Sequence, residues 1–227
     1  MIATAVLSTM LLLVTVIMTN IGNLFYKGTS QAQAQDDARS IVDDISSNLQ
    51  LDGNRGQTLQ SGFQNIYVNP VWLQEQSICL GNTRYTYVLY AKAGANNSAS
   101  DPQVNHVLWR DTAQSGSWSS CPPANMASAN PSGASGANGT DLIAPNVRLT
   151  QLTATQIGSS DSYSVSIEVA YGTPDLFSNW PTPTTYSGPP AGQAYIGSGS
   201  SVLCKGDIGD QYCGTSSLQT VVAQRLQ

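Results

Sequence analysis

Met1-Ile2-Ala3-Thr4-Ala5-Val6-Leu7-Ser8-Thr9-Met10-Leu11-Leu12-Leu13-Val14-Thr15-Val16-Ile17-Met18-Thr19-Asn20-Ile21-Gly22-Asn23-Leu24-Phe25-Tyr26 contains no charged side chain, and Ile2 to Ile17 is apolar apart from Thr4, Ser8, Thr9 and Thr15. At about 1.5 Å per residue, Met1 to Ile21 predicts a helix of roughly 30 Å, the thickness of a bilayer's hydrocarbon core. A cleaved signal peptide needs a basic start, a shorter apolar run and a small-x-small site. The basic start is missing, the run is too long, and only Ala32-Gln33-Ala34 resembles such a site. A buried core helix fits less well, because no polar face interrupts the run. Ile2, Val6, Leu7, Leu11, Leu12, Leu13, Val14 and Ile17 are therefore the expected membrane-facing or helix-packing residues.

The helical pattern continues past the apolar stretch. Ala34, Ala38, Ile41, Ile45 and Leu49 recur at spacings of four and three, with Val42 and Leu51 beside them. That periodicity predicts an amphipathic helix that packs one stripe, Ala38, Ile41, Val42, Ile45 and Leu49, against a head. Asp36, Asp37, Asp43 and Asp44 fall on other faces and form either a solvated face, with Arg39 neutralising part of their charge, or a partner-docking face. Asp52-Gly53 supplies the stop, since glycine suits the left-handed position after a helix. Gly22 and Gly28 lie between the halves, where a weakened or bent helix is expected. The expected division is a helical segment over 1–53 and a β-rich head over 54–227.

Only 10% of the 227 residues are charged, against roughly 25% in ordinary soluble domains. The polar surface is built from Ser, Thr, Asn, Gln and Gly, which suits the outside of a cell or a filament. The net charge is −5 and no Lys/Arg cluster occurs, so no nucleic-acid partner is expected. The cysteines are Cys79, Cys121, Cys204 and Cys213, with no C-x-x-C pair and a single histidine, His106. Disulfides are the simpler reading, and they place the head outside the cytoplasm. Of the three pairings, Cys204–Cys213 with Cys79–Cys121 is favoured, because the loop between the last two is short and rich in Gly and Asp. Lys27 follows the apolar run and on charge alone argues for the opposite orientation; the cysteines carry more weight.

Beyond Gly53 the period changes to short β-type runs: 65–68, 85–91, 106–110, 146–157, 163–171 and 218–226, the last readable as strand or helix and tipped toward strand by Thr220, Val221 and Val222. In the fifth of these, Tyr163, Val165, Ile167, Val169 and Tyr171 alternate with Ser164, Ser166, Glu168 and Ala170, the pattern of an antiparallel strand with one buried face. Two low-complexity stretches, 115–140 and 179–201, are expected to be surface excursions. Their indoles, Trp118 and Trp180, either cap their own loops or mark a contact surface. No internal repeat is visible.

Catalytic constellations are missing from the sequence. A lone His106 next to Val107 and Leu108 reads as part of a strand. No P-loop, H-E-x-x-H or dinucleotide fingerprint occurs, and Gly197-Ser198-Gly199 is loop composition. Asp207 and Asp210 are a weak calcium candidate, too few and wrongly spaced for the usual oxygen cage, so an acidic turn is favoured. Asn96-Asn97-Ser98 and Asn138-Gly139-Thr140 match the glycosylation pattern, which matters only in a eukaryotic host. The expectation is therefore a non-enzyme with no cofactor, no metal and no small-molecule substrate.

An N-terminal helix that is half apolar and half amphipathic, carrying a disulfide-bonded β head, is the plan of type IV pilins and pseudopilins. Met1-Ile2-Ala3-Thr4-Ala5-Val6-Leu7 resembles the part of a prepilin helix that follows the family's glutamate. Gln35-Asp36-Asp37-Ala38-Arg39 with Ile41-Val42-Asp43-Asp44-Ile45 resembles the helix of PulJ/PilW-type minor pilins. Tyr87-Val88-Leu89-Tyr90, Leu108-Trp109-Arg110 and Leu142-Ile143-Ala144-Pro145-Asn146-Val147-Arg148-Leu149 are similar to that group's head strands, and Cys204 with Gln211-Tyr212-Cys213 to its disulfide-closed end. The resemblance implies an α+β, pilin-like fold, an antiparallel β-rich head packed on the long helix. It implies a minor pilin or pseudopilin that initiates or caps a pilus-like or type II secretion-like filament. The family's leader, its glycine and its first mature residues with the glutamate are missing from this sequence, which joins the family pattern mid-motif; an internal methionine or a trimmed start is favoured over a degenerate member. Implied partners are other pilins or pseudopilins through the N-terminal helix, after residence in the inner membrane. Ala3, Ala5, Ser8 and Gly22 would permit close helix approach. The rival is a singly anchored surface adhesin or binding protein, for which the amphipathic continuation to Leu49 has no use.

Overall fold

A computed structural model describes residues 2–51, 59–68, 70–95, 98, 100–113, 118, 120–131, 139–158, 162–185, 194–196, 201–206 and 209–223. One helix, α1 (Ile2–Leu51), runs through 50 residues, with no interruption at Gly22 or Gly28, where a bend was expected. The expected stop at Asp52-Gly53 lies outside the described residues.

The strands follow in chain order: β1 (Gln60–Val68), β2 (Val71–Leu80), β3 (Thr83–Val88), β4 (Lys92–Ala93), β5 (Gln103–Val104), β6 (Leu108–Thr112), β7 (Thr140–Asp141), β8 (Val147–Gln156), β9 (Ser162–Tyr171), β10 (Phe177–Ser178), β11 (Thr184–Thr185), β12 (Ala194–Ile196), β13 (Leu203–Cys204) and β14 (Gly214–Ala223). The larger sheet centres on β2. One of its edges pairs β1 from Val71 to Cys79. The other is divided between β3, antiparallel over Glu75–Leu80, and β12, parallel over Val71–Leu73. The sheet continues through β6 to β7. A three-stranded antiparallel sheet, β14-β9-β8, stands beside it. The fold is thus one long helix packed on an antiparallel β-rich head, the expected α+β class.

α1 lies against β9, β14 and the turn Asp210–Tyr212. In β9, Tyr163, Val165, Ile167 and Val169 are buried, and register places Val222, Thr220, Leu218 and Ser216 of β14 on the same face. Ala34, Ala38, Ile41, Val42, Ile45 and Leu49 join this face in one hydrophobic cluster. β8 presents Val147 and Leu149 opposite Tyr171 and Val169, and then Leu152 and Ala154 opposite Ile167 and Val165. That alignment requires one extra residue, and the register shift falls between Leu149 and Gln151, so Thr150 is the bulge. Its hydroxyl donates to Glu168 O at 3.1 Å.

Several sequence expectations need correction. β2 was not anticipated at all. Its covered face carries Val71, Leu73, Glu75, Ser77 and Cys79, all buried, and the two polar members hide the apolar alternation. The run 85–91 ends as a strand at Val88, and Tyr90 turns with φ 63°. His106 precedes β6, which extends to Thr112.

The described parts of the two long loops are surface excursions only in part: 129–130 and 182–184 are exposed as expected, but other residues are built into the head. Cys121, Ala124 and Met126 are buried, and Ser77 Oγ donates to Cys121 O at 2.6 Å. The Ala124 and Met126 N–H groups donate to Thr86 Oγ1 and Glu75 Oε1. The segment therefore lies over the larger sheet as an irregular layer, its backbone satisfied by polar side chains of β2 and β3. Likewise 179–201 contributes β11 and β12 to that sheet.

Candidate functional site: a free apolar half-helix and its joint with the head

From Val6 to Tyr26, large apolar side chains are exposed on every face of α1, from 48% at Val16 to 71% at Leu24. Val6, Leu7, Leu11, Leu12, Leu13, Val14 and Ile17 all belong to this set; Ile2 is helical. The helix is long and apolar enough to cross a membrane, with mean hydropathy 2.0 over its most apolar window. Its few hydroxyls do not disturb that character. Ser8 donates to Thr4 O, Thr9 to Val6 O, Thr15 to Leu11 O and Thr19 to Val16 O, at 2.8–2.9 Å. Each of these four hydroxyls is satisfied within the helix, as an apolar surrounding demands. Fourteen large apolar side chains from Val6 to Tyr26 are exposed, and leaving them in water costs on the order of 20 kcal/mol. Water is therefore an unfavourable surrounding for this surface.

Burial begins abruptly at Ser30 and continues at Ala34, Ala38, Ile41, Ile45 and Leu49, so the docked stripe starts one helical turn before the run expected from sequence. Ser30 was unreadable because a serine at a stripe position looks solvated. Its hydroxyl lies 3.3 Å from Cys213 O and 3.1 Å from Lys27 O. Gln31 treats β14 as a neighbouring strand would: Nε2 donates to Thr215 O at 2.7 Å, and Oε1 accepts from Thr215 N at 3.3 Å. Gly214 makes this approach possible, since a Cβ there would stand 2.5 Å from Ser30 O.

The aspartates divide. Asp36 and Asp43 are exposed as expected, whereas Asp37 and Asp44 are partly buried against the head. Asp37 accepts from Ala144 N at 3.3 Å, and burial raises its carboxyl above the ordinary range despite that bond. Asp44 accepts from Tyr85 Oη at 2.8 Å and from Arg110. Asn48 also donates to Tyr85 Oη, at 2.6 Å. Burial first, then the adjacent Asp44, push the Tyr85 phenol far up, so it stays a neutral donor. These contacts fix the helix's rotation on the head, which apolar packing alone leaves free to slip.

The turn that grips the helix is closed by the Cys204–Cys213 disulfide, and Cys79 is bonded to Cys121. Tyr212 is half-exposed, its ring 5.6 Å from that of Tyr26. Of the calcium candidates, Asp207 lies outside the described residues, as does the side chain of Asp210. Among the described residues no three His, Cys, Asp or Glu side chains converge as metal ligands.

Elsewhere, polar side chains are tied into the structure. His106 Nδ1 meets Asp141 at 2.8 Å, while Nε2 is buried with no hydrogen-bond partner. Both loop indoles fold back. Trp118 Nε1 donates to Asn82 O at 3.1 Å under the Arg84 guanidinium, and Trp180 stacks on Phe177. Arg148, fully buried, donates to Tyr90 O, Gly172 O and Asp101. Burial raises Asp101, but Lys92 and Arg148 outweigh it and hold the carboxyl below its usual range. Beside them a cavity of about 480 Å³ is walled by Lys92, Asn146, Tyr171 and Tyr212.

No family model, curated protein or solved structure matches this chain.

Proposed function

We propose that the chain is a pilin-like assembly subunit, a minor pilin or pseudopilin whose apolar half-helix waits in a membrane and then packs among the helices of a filament. The observation that carries this reading is the continuity of α1. One 50-residue rod is bare and apolar in its first half, and in its second is clamped to the head by Gln31, Asp37 and Asp44. A tether for a binding module needs only the first half. A subunit positioned by its helix needs both, because the clamp transmits helix placement to the head. The head faces the oxidising side of the membrane, in keeping with its two disulfides, and its work is interfacial rather than catalytic.

The test is cysteine cross-linking in the native membrane. Leu7→Cys, Leu11→Cys and Val14→Cys add single thiols to a chain with no free cysteine among its own four. Oxidation is expected to join them to helices of neighbouring subunits, identified by mass spectrometry, with yields that follow the helical period. Membrane integration without any such cross-link would instead support the surface-tether reading.

A further inference from the structure

We propose that the disulfide-closed turn before Cys213 is a bilayer-contact element, with Tyr212 seated beside Tyr26 in the lipid headgroup layer. This rests on the membrane reading of α1. A hydrocarbon core of about 30 Å takes up about 20 helical residues. A span of that length ending just before the first charge, Lys27, or lying up to four residues further back, puts Tyr26 between the core edge and about 7 Å beyond it. That interval is the headgroup layer, where amphipathic tyrosine rings concentrate. Lys27, the first charged residue of the chain, follows immediately.

The head supplies the second ring. Tyr212 lies 5.6 Å from Tyr26, comparable with the layer's depth of about 5–7 Å, so the two rings lie within about one layer depth of each other. The two are also rigidly coupled. Tyr212 sits one residue from the Cys204–Cys213 bond, on a turn packed against α1. Ser30 and Gly214 hold helix and strand in backbone contact directly above. Both rings are about half exposed, 52% for Tyr26 and 50% for Tyr212. The same Tyr212 ring walls the cavity beside Lys92 and Asn146, which leaves space for headgroups at the foot of the head. The consequence is a fixed height: the head rests on the bilayer at two points and cannot swing as a body on a string.

The experiment reconstitutes the full chain into phosphatidylcholine vesicles brominated near the top of the acyl chains. Tyr212→Trp and Val14→Trp are compared with the parent, whose Trp72, Trp109, Trp118 and Trp180 give the background. The added emission of Tyr212→Trp is expected to be blue-shifted and quenched at least half as strongly as that of Val14→Trp. Gln211→Trp serves as a second probe one residue away, with the same expectation. Quenching at position 14 but at neither head position overturns the contact and leaves the membrane reading standing. Absence of quenching at all three overturns both.

Discussion

Gly214→Ala tests the joint between helix and head at its tightest point. The added Cβ would lie 2.5 Å from Ser30 O, 2.7 Å from Ser30 C and 2.9 Å from Gln31 N. All three are backbone atoms, so no rotamer change relieves the clash. Reaching ordinary contact at 3.4 Å requires a separation of 3.4 − 2.5 = 0.9 Å between α1 and β14. The Gln31 bonds to Thr215, at 2.7 and 3.3 Å, then lengthen or break. Overpacking of this kind costs about 1–3 kcal/mol, and each weakened bond about 0.5–1.5 kcal/mol. A total of about 2–6 kcal/mol is expected.

The assay is urea unfolding of the full chain in detergent micelles, followed by the tryptophans of the head. With a slope of about 2 kcal/mol per M, the midpoint should fall by about 1–3 M. Gly22→Ala and Gly28→Ala are the controls, because a methyl there meets nothing within 4 Å. They should leave the midpoint unchanged or raise it, since alanine is favoured over glycine in a helix by about 1 kcal/mol. A midpoint for Gly214→Ala within 0.3 M (roughly the error of such fits) of the parent would falsify the close-approach account.

Asp44→Ala removes the acceptor of the buried Tyr85 hydroxyl and the partner of Arg110; it should cost about 1–3 kcal/mol, with Tyr85→Phe costing less, as read from urea midpoints. Glu75 is fully buried and burial lifts its carboxyl to about 7, against the opposing bonds from Gln64 and Met126. The folded state therefore holds a proton that the unfolded chain releases near pH 4.5. Stability should fall as pH rises from about 4.5 to about 7, by on the order of 3 kcal/mol, and then level off. Glu75→Gln should flatten that slope, and an unchanged slope would rule Glu75 out as its source. Loop-closure entropy gives about 3 kcal/mol for Cys204–Cys213 and about 4 kcal/mol for Cys79–Cys121, so paired Cys→Ser variants should rank in that order of thermal loss.

How much of this was legible depended on what covers each surface. The stripe from Ala34 to Leu49 could be read because a sheet covers it, and a sheet whose backbone groups are already paired meets the helix mainly with apolar side chains. β2 could not be read because a loop covers it. An irregular segment brings unpaired N–H groups, and Glu75, Ser77 and Thr86 are there to receive or complete its bonds. Thr150 defeats a strict alternation in β8, since one extra residue returns Leu152 to the face already used by Leu149. Asp37 and Asp44 sit a heptad apart on the margin of the stripe, where sequence cannot separate a solvated carboxylate from one aimed at a Tyr85 or an Ala144. The Cys204–Cys213 closure was readable from its short loop, but not the contact of Tyr212 with Tyr26.

The two halves of α1 also differ in how strongly each is held, and this bears on how such a subunit could leave a membrane. The docked face buries Ile41, Val42, Ile45 and Leu49 along with two alanines, worth about 8–10 kcal/mol at about 2 kcal/mol per large side chain. Exposing the free half to water costs on the order of 20 kcal/mol. A pull on the head therefore undocks the helix before it draws the apolar half into water. The order reverses only if another apolar surface receives Val6 to Tyr26 as they emerge, because the transfer term then nearly vanishes. Under that condition the clamp at Gln31, Asp37 and Asp44 survives, and head and helix move as one body. A force measurement on single chains in a bilayer should accordingly show head undocking as the first event, and addition of neighbouring apolar helices should abolish it. If the helix is instead extracted into plain buffer with the head still docked, the ordering of these two energies is wrong.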